Sequence, residues 1–230
     1  MYEGQFYEEK KEIKLKQVIN AYIKKDIRDI ADIRNIDSFN SLVRALAAQA
    51  GRMLNVLELS NTLGIAKQTV NEYVFLLENT YIVRRVRPFH RNMRSELTKM
   101  PKIYFEDTGL MNILINKTFS RNTGGAILEN SVYSELRKNT PVESIFFWRT
   151  NKQQEVDFIV EGVKKGGRKV LKAIEVKNSF LNKHTAHLAC FKKKYKETEA
   201  FFYCMKRNER NRNDDITVMH PWNKKGTVVF

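Results

Sequence analysis

Asp157, Glu175 and Lys177 are the residues of this chain whose types and spacing could do chemistry. Asp157 lies in Glu155-Val156-Asp157-Phe158-Ile159-Val160, where Val156, Phe158 and Val160 point one way and Glu155 and Asp157 the other, as in a strand. Glu175 and Lys177 share one face of Val170 to Lys177, and Ile174 and Val176 share the opposite face. The intervening Glu161–Lys169 carries Gly162, Gly166 and Gly167 and turns the chain back, so the two strands form a hairpin. That hairpin gathers Asp157, Glu175 and Lys177 on one polar surface. Neighbouring carboxylates repel, and a hard divalent cation such as Mg²⁺, bound through oxygen by Asp157 and Glu175, relieves the repulsion. A lysine beside the ion can orient or deprotonate a water, or stabilise charge on a phosphate. Glu129, near the start of the preceding helix, offers a further carboxylate. Metal, activated water and basic surroundings together make a phosphodiester-cleaving site. Against this, Glu-x-Lys on a strand face is ordinarily solvated surface charge.

The elements that must position these residues can be read from periodicity. Residues 126–138 form an amphipathic helix with Ile127, Leu128, Val132, Tyr133 and Leu136 on one face, followed by a strand over Ser144–Arg149. Upstream, residues 10–33 read as a helix. Asp37 or Ser38 offers an N-cap for a second helix through Leu42, Val43, Leu46 and Ala47. A short helix at Val56–Leu59, a turn at Gly64 and a helix over Lys67–Asn79 precede a strand, Tyr81–Val86, stopped by Pro88. Helix, tight turn, helix and strand is the order of a winged helix-turn-helix. Pro101–Phe105 reads as a strand and Leu110–Leu114 as a short helix, with a boundary near Arg121–Gly125. The expected organisation is a helical segment over 1–38, a winged helix over 39–98, a connecting strand and helix over 99–123 and an α/β domain over 124–230.

Charge is divided unevenly among these modules. The 230 residues carry a net +15, yet residues 1–80 hold 11 basic and 11 acidic side chains. The surplus lies entirely in residues 81–230, with 30 basic and 15 acidic. A polyanion is the expected partner, and the bland alternative is solubility. Ala66–Asn79, the helix that would enter a groove, has Lys67 against Glu72 and Glu78, a poor surface for phosphates. Arg84, Arg85, Arg87, Arg91 and Arg94 on the wing, and Lys192, Lys193 and Lys194 further on, are the candidate nucleic-acid contacts. Lys164, Lys165, Arg168 and Lys169 are a second basic strip. His184, His187 and Cys190 recur every three residues, but nothing pairs with them as a zinc site requires; His187 could instead approach the carboxylates or a phosphate. Two cysteines, no apolar run of transmembrane length and a polar N-terminus predict a cytoplasmic protein without a signal peptide.

Glu129, Asp157 and Glu175-Val176-Lys177 resemble the PD-(D/E)XK nuclease superfamily. The resemblance implies a restriction-endonuclease-like domain with a mixed central sheet, metal bound by Asp157 and Glu175, and assistance from Glu129 and Lys177. Tyr22–Ile27, the winged helix, Pro101–Leu110 and Glu129–Leu136 together look like the C-terminal half of a prokaryotic ATPase family. Its members join an AAA-type ATPase domain to a winged helix and a nuclease-like domain of unknown function. Nearly the whole chain is covered, giving an α+β fold overall. No Gly-x-x-x-x-Gly-Lys-Ser/Thr occurs, so an ATP site is not expected here. The chain reads as a fragment, a split gene product or a truncated relative, and the implied partners are DNA and a missing or separately encoded ATPase domain. Self-association and the choice of DNA or RNA stay open. An inactive module that docks DNA or a protein is the alternative to a nuclease.

Overall fold

A computed structural model describes residues 35–89, 100–116, 124–163, 167 and 169–220, with Ile13 and Gln17 as isolated positions. The helix expected over 10–33, and Arg91, Arg94, Lys164, Lys165 and Arg168, lie outside the described residues. Among the described residues the chain is mixed α/β, with six α-helices and seven strands that form a mixed sheet. It divides into two compact units, Met1–Arg85 with Ile103–Thr123 and Val86–Lys102 with Gly124–Phe230. The two units exchange along the chain at 85/86, 102/103 and 123/124.

In the first unit, α1 (Ile36–Ala48) buries Phe39, Leu42, Val43, Leu46 and Ala47, the i, i+3, i+4, i+7 stripe of an amphipathic helix. Its cap is Asn35, whose side chain accepts from Ser38 N at 3.0 Å, and not Asp37 or Ser38. With Asn35 already satisfying the first-turn N–H, Asp37 lies inside that turn, where its charge favours the helix dipole. Asn55 caps α2 (Val56–Leu63) in the same way, accepting from Glu58 N at 3.2 Å. Gly64 ends α2 in the left-handed region, φ 64°, which glycine enters without steric cost. The chain restarts as α3 (Lys67–Asn79), and Tyr73 packs edge-on against Phe39 with ring centroids 5.2 Å apart.

The strand β1 (Val83–Pro88) begins two residues later than expected. Tyr81 takes φ 58° and Ile82 N donates to Leu77 O, so these residues close α3. Pro88 is the last residue of the strand, where its missing N–H is tolerated. The strand β2 (Lys102–Phe105) is followed by α4 (Thr108–Asn116), whose Leu110 N donates to Asp107 Oδ1 at 2.7 Å.

The second unit holds α5 (Gly125–Arg137), β3 (Ile145–Arg149), β4 (Glu155–Val163), β5 (Lys169–Phe180), α6 (Ala186–Lys194), β6 (Thr198–Arg207) and β7 (Ile216–Met219). Arg87 and Pro88 of β1 pair parallel to Phe146 and Phe147 of β3. The next two pairings, β3 with β4 and β4 with β5, are antiparallel, and β5 with β6 and β6 with β7 are parallel. Parallel β5 and β6 need a crossover, and α6 supplies it. One core packs α6 onto the sheet: Phe191 lies against Trp148 with centroids 5.3 Å apart, alongside Phe89, Ile159, Ala173 and Phe202. On α5, Tyr133 stacks on Phe158 of β4 at 6.3 Å. With helices on both sides, β4 is buried from Val156 to Val160, so neither side of it is the open polar surface that the alternation predicts.

Candidate active site

The hairpin of β4 and β5 brings Asp157, Glu175 and Lys177 together. The backbone ladder pairs Phe158 with Ile174, and just beyond it the Asp157 side chain takes over, Oδ2 accepting from Val176 N at 2.8 Å. Asp157 is thereby fixed in direction by a backbone donor. Lys177 Nζ donates to the same oxygen at 3.2 Å and lies 2.5 Å from Glu175 Oε1. Both carboxylates are deep, Asp157 5% and Glu175 3% exposed, whereas the Lys177 side chain is 39% exposed.

The other oxygen of Glu175, Oε2, is buried and has no hydrogen-bond partner. An unsatisfied buried carboxylate oxygen is costly, and native folds rarely keep one without a reason. Burial, with Asp157 beside it, outweighs the attraction of Lys177 and Lys102 and pushes the Glu175 carboxyl up to about 8. Burial acts in the opposite direction on Lys177, but Asp157 and Glu175 more than offset it and hold the ammonium above the ordinary lysine range.

Glu129 joins the group through a residue that sequence reasoning missed. Lys102, the first residue of β2, is buried with its ammonium 2.6 Å from Glu155 Oε1, 3.4 Å from Glu129 Oε1 and 3.9 Å from Asp157 Oδ1. Burial would lower its pKa, and the three carboxylates raise it instead. Arg149 Nη1 lies 3.3 Å from Glu155 Oε2. Four carboxylates and three cations therefore share the site, and a proton on Glu175 brings the sum to neutral. Glu155 was visible in the alternation beside Asp157, one strand period away. Lys102 carries no such signal, because a lysine at a strand start ordinarily reaches water.

The remaining candidates are dispersed. His187 Nδ1 sits 3.0 Å from the backbone oxygen of Glu155, so it braces β4. In the first unit Arg84 Nε donates to Glu106 at 3.2 Å and Arg85 Nε to Glu78 at 2.8 Å, which commits both guanidinium groups to carboxylates. Arg87 is exposed. On α6, Lys192 reaches the backbone oxygen of Asp215 at 3.0 Å, while Lys193 and Lys194 are exposed. Among the described residues no group of three or more His, Cys, Asp or Glu side chains stands ready to hold a metal ion, and no helix is long and apolar enough to cross a membrane.

Residues 5–121 match the family model of a domain of unknown function, DUF8612, slightly more than half of the chain. The chain belongs to this family. Residues 124–224 match a second model, the domain of unknown function DUF4143. The acidic residues and Lys177 fall within the second match, and Lys102 falls within the first. Among curated proteins, uncharacterized proteins of Mycobacterium tuberculosis and Mycobacterium bovis are 31% identical over 121 residues, half of this chain and 27% of theirs. An uncharacterized protein of Haemophilus influenzae is 26% identical over 131 residues, 55% of this chain and 32% of its own length. The chain thus spans about a quarter to a third of the relatives it matches. No solved structure matches.

Proposed function

We propose that the second unit is a divalent-cation-dependent nuclease of the PD-(D/E)XK type acting on DNA. In this reading α2, α3 and β1 form a winged helix that docks nucleic acid or a partner, and the chain works beside an AAA-type ATPase domain. The observation that carries the catalytic part is Glu175 Oε2, a buried oxygen without a partner beside the fixed Asp157 carboxylate. Oxygen donors of this kind suit Mg²⁺, so the residues fit the ion, and Asp157 and Glu175 are those that would hold it. Bound there, Mg²⁺ supplies Lewis-acid polarisation of the scissile phosphate and lowers the pKa of water. Lys177 donates to both carboxylates, so it works as an ammonium. Its role is to orient a water or to neutralise charge on a phosphate oxygen, not to accept a proton. The surplus of basic residues after position 80 favours a polyanionic substrate.

The test is cleavage of plasmid and single-stranded DNA by the purified chain with Mg²⁺ or Mn²⁺. Cutting is expected with either ion and should be lost in Lys177→Ala. Absence of cutting by the wild-type chain with every divalent ion tried removes the nuclease reading. A second reading rests on Lys102: an ammonium already neutralises Glu129 and Glu155, as in a site that keeps its shape without turnover. That reading makes the unit a docking module, and it predicts DNA retention without cleavage.

A further inference from the structure

Resting on that reading, we infer that Lys102 is a built-in second cation of the cluster: the centre takes a single divalent ion on its Glu175 side, and Glu129 acts through Lys102 instead of on the ion. Two-ion sites place their metals about 4 Å apart and need a carboxylate that bridges them, one oxygen to each. Asp157 is the residue able to bridge here, since its two oxygens face different neighbours. Oδ2 looks toward Lys177 and the backbone of Val176, and Oδ1 looks toward Lys102. A second ion on the Oδ1 side would need the same oxygens of Glu129, Glu155 and Asp157 that the Lys102 ammonium already approaches.

Lys102 is poorly suited to step aside. Its side chain is 3% exposed, its Nζ lies 5.5 Å from the centre of the Phe147 ring, and it starts a strand whose four residues are all buried. Removing a charged ammonium from its carboxylates without reaching water is strongly unfavourable. Glu155 is saturated from the other side as well, by Arg149. Glu175 does not touch this arrangement directly: its Oε1 is on Lys177 and its Oε2 has no partner. The cluster therefore has a half closed by protein cations and a half with an unused oxygen.

The experiment is Mn²⁺ titration of the full chain without nucleic acid, by calorimetry and by the electron paramagnetic resonance signal of free Mn²⁺. Wild type is expected to bind one ion. Lys102→Met, similar in length but uncharged, should bind two. Glu129→Gln should keep one ion, and Glu175→Gln should bind about tenfold more weakly or worse. Two ions on the wild-type chain overturn the inference and leave the nuclease reading standing. One ion on Lys102→Met with unchanged affinity, or loss of the ion in Glu129→Gln, overturns it too. If neither wild type nor Lys102→Met binds, the cation-dependent reading and this inference both fall. Binding by Lys102→Met alone overturns the inference, because the wild-type centre would then hold no ion on its Glu175 side. Where Lys102→Met is unfolded without metal, its melting is followed with added Mn²⁺. Rescue of folding by the ion supports the inference, and no rescue counts against it.

Discussion

Glu175→Gln should separate stability from ion binding. Burial, with Asp157 beside it, pushes the Glu175 carboxyl up to about 8. A group whose folded pKa is raised contributes stability that is fully present below its unfolded value and is lost as pH climbs through the folded value. The window here runs from about 4.5 to about 8. Across that window stability is lost at no more than about 1.4 kcal/mol per pH unit. Glutamine fills the same space, can accept from Lys177 and has no proton to lose, so its stability should lack this slope.

The assay is urea unfolding in chelator between pH 5 and 9, followed by the fluorescence of Trp148, which is buried in the second unit, with Trp222 replaced by Phe in both chains. The wild type should lose stability relative to the variant as pH rises, and above pH 8 the variant should be the more stable. Parallel curves across the window would refute the idea that Glu175 is held protonated by its surroundings. Mg²⁺ at pH 8 should then stabilise the wild type more than the variant, because an ion that binds only the folded state stabilises it by mass action and the variant binds it more weakly.

Two further outcomes follow from other parts of the chain. Gly64→Ala meets no atom within 4 Å of the added Cβ, so its cost is that of a left-handed backbone alone, about 1 kcal/mol by chemical denaturation. Arg87→Ala should lower the slope of log affinity for DNA against log salt by about one. Arg84→Ala, whose guanidinium is held by Glu106, should leave that slope unchanged in the same filter-binding series.

The trio Asp157, Glu175 and Lys177 was legible because a strand has period two and both strands are adjacent in sequence, so spacing alone implies a shared face. Its burial was not legible, since whether a polar face looks outward depends on whether a helix covers it. Here α5 packs on β5, and its Glu129 shares Lys102 with Asp157. Lys102 was invisible for a related reason. It stands some fifty residues before Asp157 in the chain, and no local pattern distinguishes a lysine that meets three carboxylates from one that meets water. At the start of α1 the stretch Asn35 to Ser38 holds three residues able to cap, and local sequence does not choose among them. Tyr81 defeats strand propensity because closing α3 demands a left-handed residue there.

The neutralised cluster also bears on how, in the proposed reading, a basic domain can gather four carboxylates, two of them buried, and still admit a polyanion. Left bare, Glu129, Glu155, Asp157 and Glu175 would repel a phosphate approaching the proposed centre. Lys102, Lys177 and Arg149, with a proton on Glu175, cancel that field locally. The exposed cations elsewhere in the second unit, such as Lys193, Lys194, Arg210 and Arg212, then act without opposition from the centre. A divalent ion that displaces the Glu175 proton turns the centre itself positive. Affinity for a phosphate chain should therefore rise with the ion bound, even in the Lys177→Ala chain, where cutting is expected to be lost.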